Sequence, residues 1–225
     1  MEKLILENVV VIARNLNPSL FSQLWLVKQK IVNEEDFAPN CTFSQFFTQV
    51  FTPDFQLLVV PDRLQFTLTE KSKDNTEFIK EKVGTIIRNI PHTPYRAIGT
   101  NFHWLVAPDP PTDFIEFMHK LFVKHGIPIY DQFLESDARF GAYLSKDIFG
   151  ARLRLDIKPV KPASSEKFEK VSESLQLIFN YQLDLAEGVG IIDTMLAFLD
   201  QWNQMKSYSE KLVSIVLEDN IYIQS

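Results

Sequence analysis

The stretch PHTPYRAIGTNFHWLV, Pro91 to Val106, decides how the rest of the chain is read. Pro91 and Pro94 turn the backbone away from helix at its start. From Tyr95 onward the side chains alternate. Ile98, Thr100, Phe102, Trp104 and Val106 fall on one side, and Tyr95, Ala97, Gly99, Asn101, His103 and Leu105 on the other. The spacing predicts a long central strand. Because both sets are largely apolar, the strand is expected to be covered on each face.

Immediately upstream, Ile79, Val83, Ile86, Ile87 and Ile90 form one stripe of a helix whose other face carries Lys80, Glu81, Lys82 and Arg88. Asp74, three residues before Glu77, resembles a capping box for it. Downstream, a proline-rich corner after Ala107 leads into a helix with the stripe Phe114, Phe117, Met118, Leu121 and Phe122, stopped at Gly126.

Further out, Leu4–Ala13 reads as a buried strand, and Asn17-Pro18 opens a helix carrying Leu20, Phe21, Leu24, Val27 and Ile31. The alternating runs Phe43–Phe51, Phe55–Val60 and Arg63–Thr69 are separated by Thr52-Pro53-Asp54 and Pro61-Asp62. These separators are turn chemistry, so the runs predict an antiparallel meander with one wet face. In the second half, Arg139–Leu144 and Arg152–Lys158 predict a hairpin, and Val171–Leu185 a long strand. A last helical region from Ile191 to Glu218 uses Ile192, Met195, Leu196, Leu199 and Trp202, then Tyr208, Leu212, Ile215 and Val216.

The resulting expectation is an α+β fold, an antiparallel sheet with helices packed on one or both faces. It forms one compact unit with halves at residues 1–126 and 127–225. Asn101-Phe102-His103-Trp104 and Asn180-Tyr181-Gln182-Leu183 sit in similar local settings, a pattern that two related halves would produce.

Composition narrows the function classes. The chain has 19 Phe against six Tyr and three Trp, and since Phe has no polar handle, most of this aromatic content belongs to core. A net charge of −6 argues against a large footprint for nucleic acid or anionic lipid. The amino terminus interrupts its apolar character at Glu7 and Asn8, and no apolar run approaches the ~18 residues that span a bilayer. With Cys41 alone, no internal disulfide forms. The chain therefore reads as a cytoplasmic protein of a reducing habitat, without membrane association.

Several constellations invite chemistry. Gly188 and Gly190 follow a strand and precede a helix, but Asp193 stands where a dinucleotide loop needs its third glycine, so no cofactor is expected. Glu116 and His119 share a helix face at the spacing of a di-metal bundle, with His125 on another face. There is no second Glu-x-x-His, so no metal is expected. Cys41, Asn101 and His103 supply the residue types of a cysteine hydrolase, yet Cys41 begins a strand rather than a helix. His103 and Asn101, two apart on the central strand, would offer a base and a donor side by side if their face lines a cleft. Arg152, Arg154 and Lys158 form a basic strip without interleaved aromatics and interrupted by Asp156.

Ala13-Arg14-Asn15-Leu16-Asn17-Pro18, Leu24-Trp25-Leu26-Val27, Leu57–Gln65 and Pro91–Trp104, in this order, resemble a set of sporadically distributed bacterial proteins of unknown function. The likeness covers roughly the first half of the chain. It implies a bacterial, intracellular origin and brings no activity or ligand with it.

With many packing signals and no coherent catalytic set, the leading expectation is a non-enzymatic interaction or assembly module with a protein partner or a homo-oligomer. Its candidate surfaces are Phe21 and Trp25 on the first helix, and Tyr208, Leu212 and Ile215 on the last. One alternative is a small-molecule binder or hydrolase using the Asn101/His103 face. The other is weak nucleic-acid contact through Arg152, Arg154 and Lys158.

Overall fold

Two twelve-residue strands, β1 (Glu2–Ala13) and β6 (Tyr95–Val106), pair antiparallel over almost their whole length and form the centre of the molecule. The computed structural model describes residues 1–69, 75–109, 112–124, 127–133, 135, 137–161, 173–186 and 188–218. From β1 the meander β2 (Thr42–Phe43), β3 (Thr48–Phe51), β4 (Phe55–Val60) and β5 (Arg63–Leu68) extends to one side, with β5 against β1. From β6 the strands β7 (Ala142–Ile148), β8 (Ala151–Val160) and β9 (Ser174–Asp184) extend to the other, with β9 against β6. The result is one nine-stranded sheet of order β2-β3-β4-β5-β1-β6-β9-β8-β7, antiparallel at every pairing.

The fold is α+β, and its topology repeats. Each unit opens on a long central strand, passes through a helix, builds a meander whose last strand returns to the first, and ends in a helix. The repeat divides between α2 (Thr76–Asn89) and β6 rather than at residue 126. It equates β1 with β6, so Asn101–Trp104 and Asn180–Leu183 lie on the first and last strands of one unit. There Asn101 and Asn180 pair directly.

The helices that feed the core all lie on one face. α1 (Gln23–Lys28), α3 (Phe114–Phe122), α5 (Ile191–Leu199), α6 (Trp202–Glu218) and α2 join the inward strand residues Val9, Val11, Phe66, Ile98, Phe102, Leu155 and Phe179 in one cluster, while the four-residue α4 (Pro128–Asp131) buries none of its side chains. α2 and α5 meet over the seam at Gly84, where a Cβ would come 3.1 Å from the Leu196 side chain. α6 is fixed through the Trp202 ring, edge-on to Phe102 at 4.8 Å. The Tyr181 hydroxyl also donates to the Met205 carbonyl at 3.0 Å.

The opposite face of the sheet carries no helix among the described residues, which corrects the expectation that β6 is covered on both sides. Ala97 and Gly99 are buried there because they are small and flanked in register by Ile12 and Val10 on β1 and by Asp184 and Gln182 on β9. A minor apolar cluster, Leu105 and Ala107 with Met1, Ile5 and Val160, sits at one end of this face.

Other boundaries shift for local reasons. The expected first helix is split. Asn17 caps a short 3-10 turn (Pro18–Leu20), Ser22 caps α1 separately, and Lys30 at φ +58 follows the helix. The last helical region breaks between Leu199 and Trp202. The β7–β8 hairpin closes through Phe149 (φ +55) and Gly150 (φ +67), the two left-handed residues that a tight hairpin turn requires. Asp74, His125, Gly126 and Val171 lie outside the described residues.

One buried ion pair ties the ends of the chain together. The Glu7 carboxylate on β1, with no exposed surface, meets the ammonium of Lys206 on α6 and accepts from Asn75 Nδ2 at 3.3 Å. Lys206→Met strips the cation from a buried carboxylate and is expected to cost on the order of 3 kcal/mol. Urea unfolding will read this as a lower midpoint at unchanged slope. The double variant Glu7→Gln/Lys206→Met should recover most of the loss, and equal destabilisation of single and double variants would contradict the account.

Candidate functional site

Three places concentrate chemistry or exposed apolar surface: the helix-free sheet face, the β2 edge and the β7 edge. On the helix-free face Asn8, Asn101 and Asn180 stand in register on β1, β6 and β9. Asn180 Nδ2 donates to Asn101 Oδ1 at 2.7 Å, and Asn101 Nδ2 donates to Asn8 Oδ1 at 2.7 Å. This amide ladder crosses the three central strands and occupies both ends of the Asn101 side chain. His103 lies beside it, half-buried between Leu6 on β1 and Ile178 on β9. Burial, and secondarily the positive charge of Lys158, hold its imidazole below the usual 6.5.

The basic residues read from the sequence share this face with Asn101 and His103, and each has a neighbour. Arg154 Nη1 donates to Gln182 Oε1 at 2.8 Å, Arg152 meets Asp147 at 3.0 Å, and Lys158 meets Asp156 at 3.6 Å. Cys41 is remote, at the start of the edge strand β2, where its sulfur receives the backbone N–H of Phe51 on β3 at 3.2 Å. The structure therefore does not assemble Cys41 with Asn101 and His103.

Gly190, at φ +88, caps α5 in a sheet without parallel pairs. The His119 ring stands edge-on to Phe140 at 5.2 Å. Among the described residues no three His, Cys, Asp or Glu side chains converge as metal ligands would.

At the β2 edge, the 3-10 turn and the residues leading into α1 face the β2–β3 hairpin across an open notch of about 210 Å³ lined by Pro18, Ser19, Phe21, Ser22, Phe43, Ser44 and Thr48. Phe21, expected as an interaction residue, is wholly buried, with its ring edge-on to half-buried Trp25 at 5.2 Å. The split of the first helix turns Phe21 and Leu26 inward and leaves Leu20 and Leu24 outward, Leu24 at 78% exposure. The hairpin adds Phe43, Phe46 and Phe47. Ser44 builds its tip: the hydroxyl receives the backbone N–H groups of Phe46 and Phe47 at 3.2 and 3.0 Å and donates to the Phe47 carbonyl at 2.8 Å. Phe46 projects from this turn at 70% exposure. Sequence reasoning passed over these residues, although Phe46-Phe47 in succession breaks the alternation and shows that at least one of them leaves the sheet.

At the β7 edge, Tyr208 and Leu212 of α6 face Leu144 of β7 and Leu153 and Leu155 of β8 around a groove of about 200 Å³. Leu144 is 55% exposed, Tyr208 and Leu212 are half-buried, and Ile215 continues the apolar line outward. Lys146 reaches the Tyr208 hydroxyl, its ammonium 4.7 Å from the centre of that ring. Tyr208 and Leu212 line this groove, with Ile215 exposed beyond it, and it is completed by strand residues that the sequence does not connect to them.

His103 yields a pH dependence. Its folded value lies below the unfolded one, so the unfolded chain takes up the proton first. The associated stability is present above about pH 6.5 and is lost as pH falls through the lower folded value. His103→Gln is expected to shrink the drop in urea midpoint between neutral pH and pH values below that range. An unchanged drop would show that His103 is not responsible.

No protein-family model matches the chain and no curated protein matches it, so these surfaces are read from their own chemistry.

Proposed function

We propose that the protein is a non-enzymatic interaction or assembly module, acting in the bacterial cytoplasm that the sequence resemblance implies, with the β2 edge as its docking surface. One observation carries the reading: Leu24 and Phe46 stand 78% and 70% exposed, each two residues along the chain from a serine, Ser22 or Ser44, that lines the 210 Å³ notch. Exposed apolar side chains set around a notch are what a partner covers, and each large side chain so buried is worth roughly 1.5–3 kcal/mol. No described helix is long and apolar enough to cross a membrane.

The alternatives draw less support. Asn101 has both amide groups engaged, and among the described residues His103 has no carboxylate partner to orient it as a base. The basic strip is matched residue by residue with Asp147, Asp156 and Gln182.

The test compares tagged wild-type protein with Phe46→Glu and Leu24→Glu, each purified gently from the native host. Both substitutions sit on the surface and should leave the thermal midpoint within a few degrees. The wild type should retain a stoichiometric protein, whether another chain or its own, and the variants should lose it. Equal recovery with wild type and variants, or none with the wild type, would sink the proposal.

A further inference from the structure

The groove between α6 and the β7–β8 hairpin is polar at one end and apolar along the rest, and we propose that it binds a small carboxylic acid with a hydrocarbon body. Lys146 and Tyr208 hold the carboxylate, and the hydrocarbon lies among Leu144, Leu155 and Leu212. This site is at the opposite end of the sheet from the β2 edge and is independent of the docking role proposed there.

Register sets the polarity of the groove. Lys146 pairs with Leu153 and Leu144 with Leu155, so Lys146 stands nearer the β7–β8 turn and Leu144 two residues further from it. On α6, Tyr208 contacts both Lys146 and the turn residue Phe149, whose ring is edge-on to it at 5.9 Å, and Leu212 follows one helical turn later. Strand alternation turns the Ser145 side chain to the other face of the sheet, beside Arg154. Both polar groups therefore sit at the end beside the turn, and the remaining walls are leucine.

The polar end has donors without acceptors. Lys146 is the charged residue of the lining, and its ammonium, 4.7 Å from the centre of the Tyr208 ring, donates to the Tyr208 hydroxyl. Two ammonium hydrogens and the hydroxyl hydrogen remain, and among the described residues none of them meets a protein acceptor. The acids nearest along the strands, Asp147 and Asp156, lie on the opposite face with Arg152 and Lys158, and Glu210, two residues from Tyr208, points away from it on α6. A carboxylate offers one oxygen to each donor, and such charge-assisted bonds are about twice as strong as neutral ones. A cationic head group would meet the ammonium instead.

Size limits the body of the ligand. At about 200 Å³ the groove lies below the range of about 300–1,000 Å³ typical of drug-sized ligands. A leucine-lined cavity of about 150 Å³ takes one benzene ring, so this groove has room for a hydrocarbon of roughly six to eight carbons.

Octanoate is the probe. With leucine methyl groups of the full chain labelled for NMR, octanoate kept well below micelle-forming concentrations should shift the signals of Leu144, Leu153, Leu155 and Leu212 to saturation. Octylammonium, the same chain with the opposite charge, should not. Lys146→Met keeps the aliphatic stem and should weaken octanoate binding about tenfold or more, and Tyr208→Phe by a smaller factor. Lys146→Glu should reverse the preference and take octylammonium over octanoate, which a misfolded groove cannot do. The Lys146 side chain is exposed, so its replacement should leave the thermal midpoint within a few degrees.

Absence of saturable shifts overturns the proposal. So do equal shifts from octanoate and octylammonium, or full octanoate affinity in Lys146→Met, since either describes an apolar surface without a head-group site.

Discussion

The pairing of β1 with β6 is the constraint from which the rest of the architecture follows. Two twelve-residue strands run antiparallel at the centre, and each is the first strand of its own unit. Each meander must then grow away from the seam, because one edge of its first strand is occupied by the other unit. That places the last-formed hairpins, β2–β3 and β7–β8, at the two ends of the sheet. It also gathers the closing helices α2 and α5 over the middle, where Gly84 permits their close approach. The ends of the sheet carry exposed apolar side chains, Leu24, Phe46 and Leu144 among them.

The seam is reinforced differently on its two faces. On the helix side the buried Glu7–Lys206 pair joins the first strand to the last helix. A buried pair of this kind gives little net stability relative to an apolar substitute, but it penalises any packing that separates the partners. Sliding β1 by one residue would turn Glu7 to the opposite face and away from Lys206. On the other face the Asn8–Asn101–Asn180 ladder acts in the same sense, since its two 2.7 Å bonds hold only while the three strands keep their registers. Both devices select one arrangement of a long sheet whose apolar alternation alone would tolerate slippage.

Much of this was legible in the sequence, and the failures have identifiable causes. Alternation in β6 from Ala97 onward, turn chemistry at Pro53-Asp54 and Pro61-Asp62, and the isoleucine stripe of α2 each describe a local rule that the tertiary structure obeys, whereas Tyr95, past a register shift, joins the helix-side core instead of the row of Ala97. The first helix departs from the expectation because Ser22 supplies a second cap after Asn17, which breaks the continuous apolar spacing in two. The second face of β6 carries no described helix although its residues are largely apolar, because side chains as small as Ala97 and Gly99 are shielded by the neighbouring strands themselves. Asn101 and Asn180 looked alike because they occupy the same cross-strand row, a relation of pairing rather than of duplication. The β7 groove was illegible for a different reason: Leu144 and Leu212 are far apart in the chain, and only the docking of α6 on the hairpin joins them.

An antiparallel sheet with open edges normally protects them, and this one does so unevenly. β2 is only two residues long, and β7 carries Lys146 and Asp147, both of which discourage unregulated strand addition. Beside these protected strands, however, the chain exposes Leu24 and Phe46 at one end and Leu144 at the other. Such side chains do nothing for the monomer, and a polar residue at any of these positions would leave the core as it is. Short or charged edges next to exposed apolar knobs and grooves favour contacts made by side chains in one orientation over indiscriminate backbone pairing.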